Sequence, residues 1–211
     1  MSLKEYVRKN ANVPNLLTLI RLLLIPVYII LFISGEKNTA MIVFLSACFT
    51  DMLDGFLARR LGQITNFGKL MDPFADKAMV ITAMLSMAIG NARIPAVIPW
   101  PAVAILLTKE AVMVIGGLIM LRLGFVVFSH MIGKIAHSVF VGALVSSFFH
   151  EDWLVLCKNW PAPLDMILIW VAVAFTLCAL AFYVKNSIQT WNNAKASRVS
   201  AQAPAGQDKA G

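Results

Sequence analysis

Apolar runs long enough to cross a lipid bilayer constrain this chain more than any other feature. Of its 211 residues, 59% are hydrophobic and only 14% are charged. Soluble domains carry about 25% charged residues, whereas a transmembrane helix needs about 20 mostly apolar ones. Runs approaching that length cover residues 14–34, 39–61, 67–89, 95–121, 131–149 and 164–188. The sequence therefore predicts an all-α, polytopic membrane bundle with six transmembrane helices.

The segments outside these runs are short. Residues 1–12 are basic, and we expect them to lie on the membrane surface as an amphipathic lead-in. Residues 13–190 form the predicted six-helix domain, and residues 191–211, rich in Ala, Ser, Gln and Gly, form a predicted disordered tail. The first run is too long for the apolar part of a signal peptide, so we interpret it as a retained transmembrane helix.

Positive charge is distributed unevenly along the chain, whose net charge is +7. Most basic residues lie near the termini and around the connection between the second and third runs, whereas the opposite side would hold only Lys37, Arg93 and Lys158. The positive-inside rule then predicts that both termini face the cytoplasm. Anionic membrane lipids are simpler partners for these charges than nucleic acid. Short loops and the lack of a targeting peptide favour a bacterial inner membrane.

Four aspartates interrupt the apolar runs: Asp51, Asp54, Asp72 and Asp76. Ionisable groups inside membrane segments are costly and usually functional. Asp51 and Asp54 are three positions apart, and Asp72 and Asp76 are four apart, so each pair shares a helix face. A short connection makes the two helices antiparallel neighbours whose acidic faces can meet. Four charges of one sign require cations, which predicts a metal site.

The ligand chemistry restricts the metal and suggests a substrate. Carboxylate oxygens favour hard cations such as Mg²⁺ or Mn²⁺, and the absence of Cys and His from this segment argues against zinc. Four carboxylates carry about four negative charges, which two divalent cations would balance, and such a pair could grip a diphosphate. Gly55, Ala58 and Gly68 lie on the same faces, where they would admit either a ligand or the opposite helix. Arg59 is well placed to meet a phosphate.

The spacing of these residues, Asp-x2-Asp-Gly-x2-Ala-Arg-x8-Gly-x3-Asp-x3-Asp, resembles the full signature of the CDP-alcohol phosphotransferases, integral membrane enzymes of phospholipid synthesis. The family has six transmembrane helices and tends to form homodimers. The resemblance implies that the four aspartates hold two divalent cations on the diphosphate of a CDP-linked lipid. The CDP-lipid site would be lined by Gly55, Ala58, Arg59 and Gly68. Asp76 would act as the general base on the acceptor hydroxyl, which attacks the β-phosphorus as CMP leaves.

The first run, NVPNLLTLIRLLLIPVYIILF, is similar to the phosphatidylglycerophosphate synthase branch of that family, which transfers a phosphatidyl group from CDP-diacylglycerol to glycerol 3-phosphate. An anionic acceptor needs further cations, for which Arg21, Lys109 and Lys134 are candidates. Snorkelling to the interface could also explain Arg21, and a salt bridge or an interfacial anchor could explain the lysines. Lys109-Glu110 stands where these synthases commonly carry Arg-Glu, and Ala136 stands where a second basic residue is common.

Alternative functions stay open at this level. Within the class, the acceptor could be phosphatidylglycerol, giving cardiolipin, or another alcohol. Outside it, membrane prenyltransferases also bind diphosphates through acidic motifs, but those motifs lie far apart in the chain. A cation transporter could use the same carboxylates, although no internal repeat is visible. We expect Lys77 to pair with a neighbouring aspartate, and all three histidines, His130, His137 and His150, to be interfacial or packing residues.

Overall fold

A computed structural model describes the backbone of residues 13–61, 66–122 and 131–202, and the side chains of residues 16–53, 74–116 and 133–189. Over these backbone ranges the chain is helical and contains no strand. The helices are α1 (Val13–Ile33), α2 (Lys37–Leu61), α3 (Asn66–Ile89), α4 (Trp100–Arg122), α5 (Met131–Ser147), α6 (His150–Leu156) and α7 (Leu164–Gln202). The predicted all-α class is confirmed for these ranges. The predicted amphipathic lead-in lies outside the described residues.

Two of these helices are long and apolar enough to cross a membrane, over residues 16–33 of α1 and 164–189 of α7. A third segment qualifies if α5 and α6, which meet at a bend of 79°, are taken as one broken span. The described part of the chain therefore shows two or three spans by length and composition, and the number of six stays a prediction. In α2, α3 and α4 the described side chains cover only residues 37–53, 74–89 and 100–116, each shorter than a full span.

The outer surface of the bundle is apolar on every long helix. Ile30 in α1 and Ile42 in α2 leave 64% and 59% of their surface exposed, and Ile188 in α7 leaves 54%. Soluble monomers rarely expose continuous apolar surface, whereas lipid tails solvate it without cost. This surface and a mean hydropathy of +0.77 are those of an integral membrane protein.

The core is held by aromatic stacking and by close helix contacts. α1 packs against α2 and α3, and α5 packs against α7. The rings of Tyr28 and Phe32 stack at 5.9 Å, and those of Phe44 and Phe148 at 6.2 Å, so one aromatic cluster joins α1, α2 and the end of α5. Small residues let the backbones approach between these rings, and the fully buried ones include Ala40, Ala47, Ala83, Ala102 and Ala172.

A tight loop after α3 fastens the end of the bundle opposite the aspartates. Asn91 donates its side-chain amide to the Phe32 carbonyl at 2.5 Å, and Arg93 donates to the Ser34 carbonyl at 2.6 Å. Gly90 ends α3 with φ +66°, a left-handed conformation that glycine adopts without steric cost. A Cβ on Gly90 would lie 2.6 Å from the backbone nitrogen of Ala96.

We expect Gly90→Ala to lower the free energy of unfolding by about 2–3 kcal/mol, because it combines a left-handed φ with a backbone clash. Thermal unfolding in detergent would show a melting temperature several degrees lower. Gly142→Ala is the matched control, since a Cβ there meets nothing within 4 Å and alanine favours the α5 helix. Equal melting temperatures for the two variants would contradict this account of the loop.

α6 fills the connection between α5 and α7, and two side-chain contacts hold it in place. His150 Nδ1 lies 2.7 Å from Asp165 Oδ2, and the Asp165 side chain is fully buried at the start of α7. His150, expected to be an interfacial or packing residue, is thus the polar partner of a buried carboxylate. Lys37 Nζ lies 2.8 Å from Glu151 Oε2.

The last helix is longer than the sixth apolar run. α7 continues to Gln202 and thus includes residues 191–202 of the segment predicted to be disordered. Those residues include Ala, Lys, Arg and Gln, which have high helix propensity, and extending an existing helix requires no new nucleus. Residues 203–211 lie outside the described residues.

Candidate active site

The aspartate-bearing halves of α2 and α3 come together beside the first half of α1. Asp51 lies just past the middle of α2 and Asp76 just before the middle of α3, and 39% and 27% of their side-chain surfaces are exposed. Cys48, one helical turn before Asp51, lies within electrostatic range of both carboxylates and of Arg21. Asp51 and Asp76, one from each acidic pair, therefore both lie near Cys48, as antiparallel pairing of the two helices predicts.

For the remaining signature residues, the structure describes the backbone and not the side chains. Asp54, Gly55, Ala58 and Arg59 lie in α2, and Gly68 and Asp72 lie in α3. Helical backbone through both segments keeps the predicted spacing, so Asp54 follows Asp51 by about one turn. Their side chains lie outside the described residues. Among the side chains that are described, no group of three or more acids, histidines or cysteines is close enough to hold a metal.

Arg21 binds Asp51 across the α1–α2 interface. Its Nη1 lies 2.6 Å from Asp51 Oδ1, and only 1% of the arginine side chain is exposed. Arg21 therefore does not snorkel to the membrane surface, which excludes that alternative. A charge-assisted bond of this kind neutralises the carboxylate in part and fixes its orientation. Carboxylates that hold metals are commonly oriented in this way by a second group.

A second charged cluster joins α3 to α4. Lys77 Nζ lies 2.5 Å from Glu110 Oε2, and Lys109 Nζ donates to Glu110 Oε1. Among the described side chains, Lys77 thus pairs with Glu110 and not with Asp76, which corrects the expectation from sequence. Adjacent residues point about 100° apart on a helix, so the side chains of Lys77 and Asp76 diverge. The long lysine side chain therefore reaches α4 more readily than it reaches Asp76. Lys109 is buried, with 9% of its surface exposed.

His137 connects this cluster to Asp76. Its Nε2 lies 3.6 Å from Asp76 Oδ2, and it lines a cavity of about 30 Å³ together with Lys77, Lys109 and Glu110. From the sequence, His137 is expected to be an interfacial or packing residue. Its position three residues after Lys134 could have suggested that His137 belongs to the site. That spacing alone does not show which face of α5 turns inward. In the structure Lys134 is exposed, whereas His137 faces the cluster.

Comparison with known proteins identifies the family to which the chain belongs. The family model for CDP-alcohol phosphatidyltransferase matches residues 11–178. A Bacillus subtilis protein named CDP-diacylglycerol–glycerol-3-phosphate 3-phosphatidyltransferase is 30% identical over 181 residues, covering 79% of this chain and 90% of the relative. A Pseudomonas fluorescens protein of the same name is 41% identical over 104 residues, covering 48% of this chain and 52% of the relative.

A Mycobacterium tuberculosis protein named probable phosphatidylglycerophosphate synthase is 35% identical over 123 residues, which is 55% of this chain and 56% of the relative. The chain thus spans about half the length of the Mycobacterium and Pseudomonas relatives that it matches, and most of the Bacillus one. The family match covers the six long helices as far as the middle of α7, including every signature residue from Asp51 to Asp76. The chain therefore belongs to the CDP-alcohol phosphatidyltransferase family.

Proposed function

We propose that this protein transfers the phosphatidyl group of CDP-diacylglycerol to glycerol 3-phosphate and releases CMP. The observation that carries the proposal is the placement of two acidic helix segments beside a separate cluster of lysines. The aspartate segments suit a cation-bound diphosphate, and the lysines suit the phosphate of a second, anionic substrate. The names of the Bacillus and Pseudomonas relatives describe this same reaction.

Two divalent cations, Mg²⁺ or Mn²⁺, would be held by Asp51, Asp54, Asp72 and Asp76. The described donors fit such ions, because Asp51 and Asp76 offer partly exposed carboxylate oxygens and Arg21 fixes the Asp51 carboxylate. When bound, the cations would neutralise the diphosphate and the charge that develops on the departing CMP. We assign Arg21 to orienting Asp51, in place of its earlier assignment to the acceptor phosphate.

The chain's own residues would supply positioning and proton removal. Gly55, Ala58 and Gly68 would let the nucleotide approach the backbones of α2 and α3, and Arg59 would bind its phosphate. Asp76 would take the proton from the acceptor hydroxyl, which then attacks the β-phosphorus. Phosphoryl transfer depends mainly on such positioning and on charge stabilisation.

For the acceptor, Lys109 is the best placed of the predicted cations. It lines the cavity beside His137, which contacts Asp76, whereas Lys134 is exposed three residues earlier on α5. A phosphate held near Lys109 would bring the acceptor hydroxyl towards the base. Lys134 would then act at the entrance, attracting the anionic substrate before it binds.

The proposed setting is a bacterial inner membrane. The charged helices α2, α3 and α4 would complete a bundle of six transmembrane helices, because their polar side chains face the site and not the lipid. Both termini and the active site would face the cytoplasm, in contact with membrane lipids. As in the family it resembles, the protein would form a homodimer.

The test is CMP release by purified protein in detergent with CDP-diacylglycerol, Mg²⁺ and a series of acceptors. We expect CMP with glycerol 3-phosphate, little CMP with phosphatidylglycerol or serine, and no CMP when EDTA replaces Mg²⁺. CMP release that required phosphatidylglycerol would assign the protein to cardiolipin synthesis. If no acceptor gave CMP, the reaction class would be refuted, and prenyl transfer or ion transport would be the remaining candidates.

A further inference from the structure

One carboxylate holds two lysines together in the cavity beside Asp76. Glu110 Oε2 lies 2.5 Å from Lys77 Nζ, and Glu110 Oε1 accepts a hydrogen bond from Lys109 Nζ. Each carboxylate oxygen therefore binds one ammonium group. Since Lys77 belongs to α3 and the other two residues to α4, this cluster also determines how the two helices face each other.

The cluster carries one net positive charge in apolar surroundings. Side-chain exposure is 37% for Lys77, 11% for Lys109 and 22% for Glu110. The remaining cavity wall is largely apolar and includes Val80, Met84, Leu106 and Phe140. Buried charges are costly unless they are paired, and a residual positive charge in such a place attracts an anion.

The lysines retain donors for another ligand. An ammonium group has three N–H bonds, and Glu110 needs one from each lysine. Two donors per lysine are then available to an anion. The cavity they line includes His137, whose Nε2 lies 3.6 Å from Asp76 Oδ2. An anion bound between the lysines would therefore lie next to the proposed base.

We propose that Glu110 is a positioning residue that holds Lys77 and Lys109 side by side as the binding site for the acceptor's phosphate group. This inference rests on the proposed function and deepens it, because it adds Lys77 to the acceptor site and gives Glu110 a role. Without the carboxylate between them, the two ammonium groups repel each other and separate. The phosphate would then meet one lysine instead of two.

The test is the kinetics of Glu110→Gln in the full-length protein, with glycerol 3-phosphate and CDP-diacylglycerol varied separately. We expect KM for glycerol 3-phosphate to rise at least tenfold, with less than threefold change in KM for CDP-diacylglycerol and in kcat at saturation. Glu110→Asp keeps the charge and should recover most of the affinity. Glu151→Gln is the matched control, because it breaks an exposed pair with Lys37 away from the cavity.

An unchanged KM for glycerol 3-phosphate in Glu110→Gln, with a normal wild-type reaction, would overturn this inference and leave the proposed function standing. A rise confined to KM for CDP-diacylglycerol would also overturn it, by assigning the cluster to the other substrate. If Glu110→Gln does not fold, Lys77→Gln carries the test with the same expected tenfold rise, because Lys77 is the residue that this inference adds to the site, and an unchanged KM would again refute the inference. Failure of the wild-type protein to use glycerol 3-phosphate would instead refute the proposed function.

Discussion

Asp76→Asn is expected to reduce turnover at least about 10³-fold, which is the upper part of the range for loss of a general base. The asparagine amide cannot accept the hydroxyl proton, and it is also a weaker metal ligand than a carboxylate. The side chain is nearly isosteric, and 27% of the Asp76 side chain is exposed, so the fold should survive. Because Asp51, Asp54 and Asp72 are intact in this variant, we expect CDP-diacylglycerol binding to persist largely unchanged.

Two measurements check this prediction: CMP release at saturating substrates, and binding of CDP-diacylglycerol by thermal stabilisation of the purified variant. Asp152→Asn is the control, since it makes the same change at an exposed site on α6. Near-normal turnover in Asp76→Asn would show that Asp76 is not the base. Loss of lipid binding together with turnover would show that Asp76 acts chiefly as a metal ligand.

Arg21→Met is expected to lower turnover about 10–100-fold and to raise the Mg²⁺ concentration needed for half-maximal activity by a similar factor. The substitution leaves a side chain that fits an apolar interior, but it removes the bond that holds Asp51 Oδ1 at 2.6 Å. Loss of a neighbouring cation would by itself favour metal binding. We expect loss of orientation to dominate, because the arginine charge is already offset by Asp51.

A Mg²⁺ titration of CMP release separates the two possible roles of Arg21. Arg93→Met is a suitable control, because Arg93 binds a backbone carbonyl at the other end of α1. If Arg21 instead contacts the acceptor phosphate, KM for glycerol 3-phosphate will rise and the Mg²⁺ requirement will not change. That result would restore Arg21 to the acceptor site and remove it from the metal site.

Prediction from sequence was most accurate where the signal is local. Six of the seven helices follow the apolar runs, because the period and length of such a run are properties of the segment itself. α6 and residues 191–202 differ, since a seven-residue helix and a polar helical extension have no apolar run to mark them. The number of six spans stays a prediction, since the described side chains of α2, α3 and α4 cover only part of each helix.

Side-chain partners were harder to predict, because they depend on which faces of distant helices meet. The spacing of Asp51 and Asp76 could indicate a shared site, but for Arg21 the sequence suggested only snorkelling or the acceptor phosphate, and not the contact with Asp51 that the structure shows. Lys77 was assigned to the wrong partner. Long lysine and arginine side chains reach several positions, so sequence distance does not determine their contacts.

By itself, the sequence determined that this is a helical membrane protein with an acidic signature, and that signature identified its family. These features are encoded in residue type and local spacing, which do not depend on how the helices pack. Only the tertiary structure decided that Arg21 binds Asp51, that His137 faces Asp76, and that Glu110 joins Lys77 to Lys109. Those pairs join residues on different helices, and buried charges take whichever opposite charge the packing brings within reach.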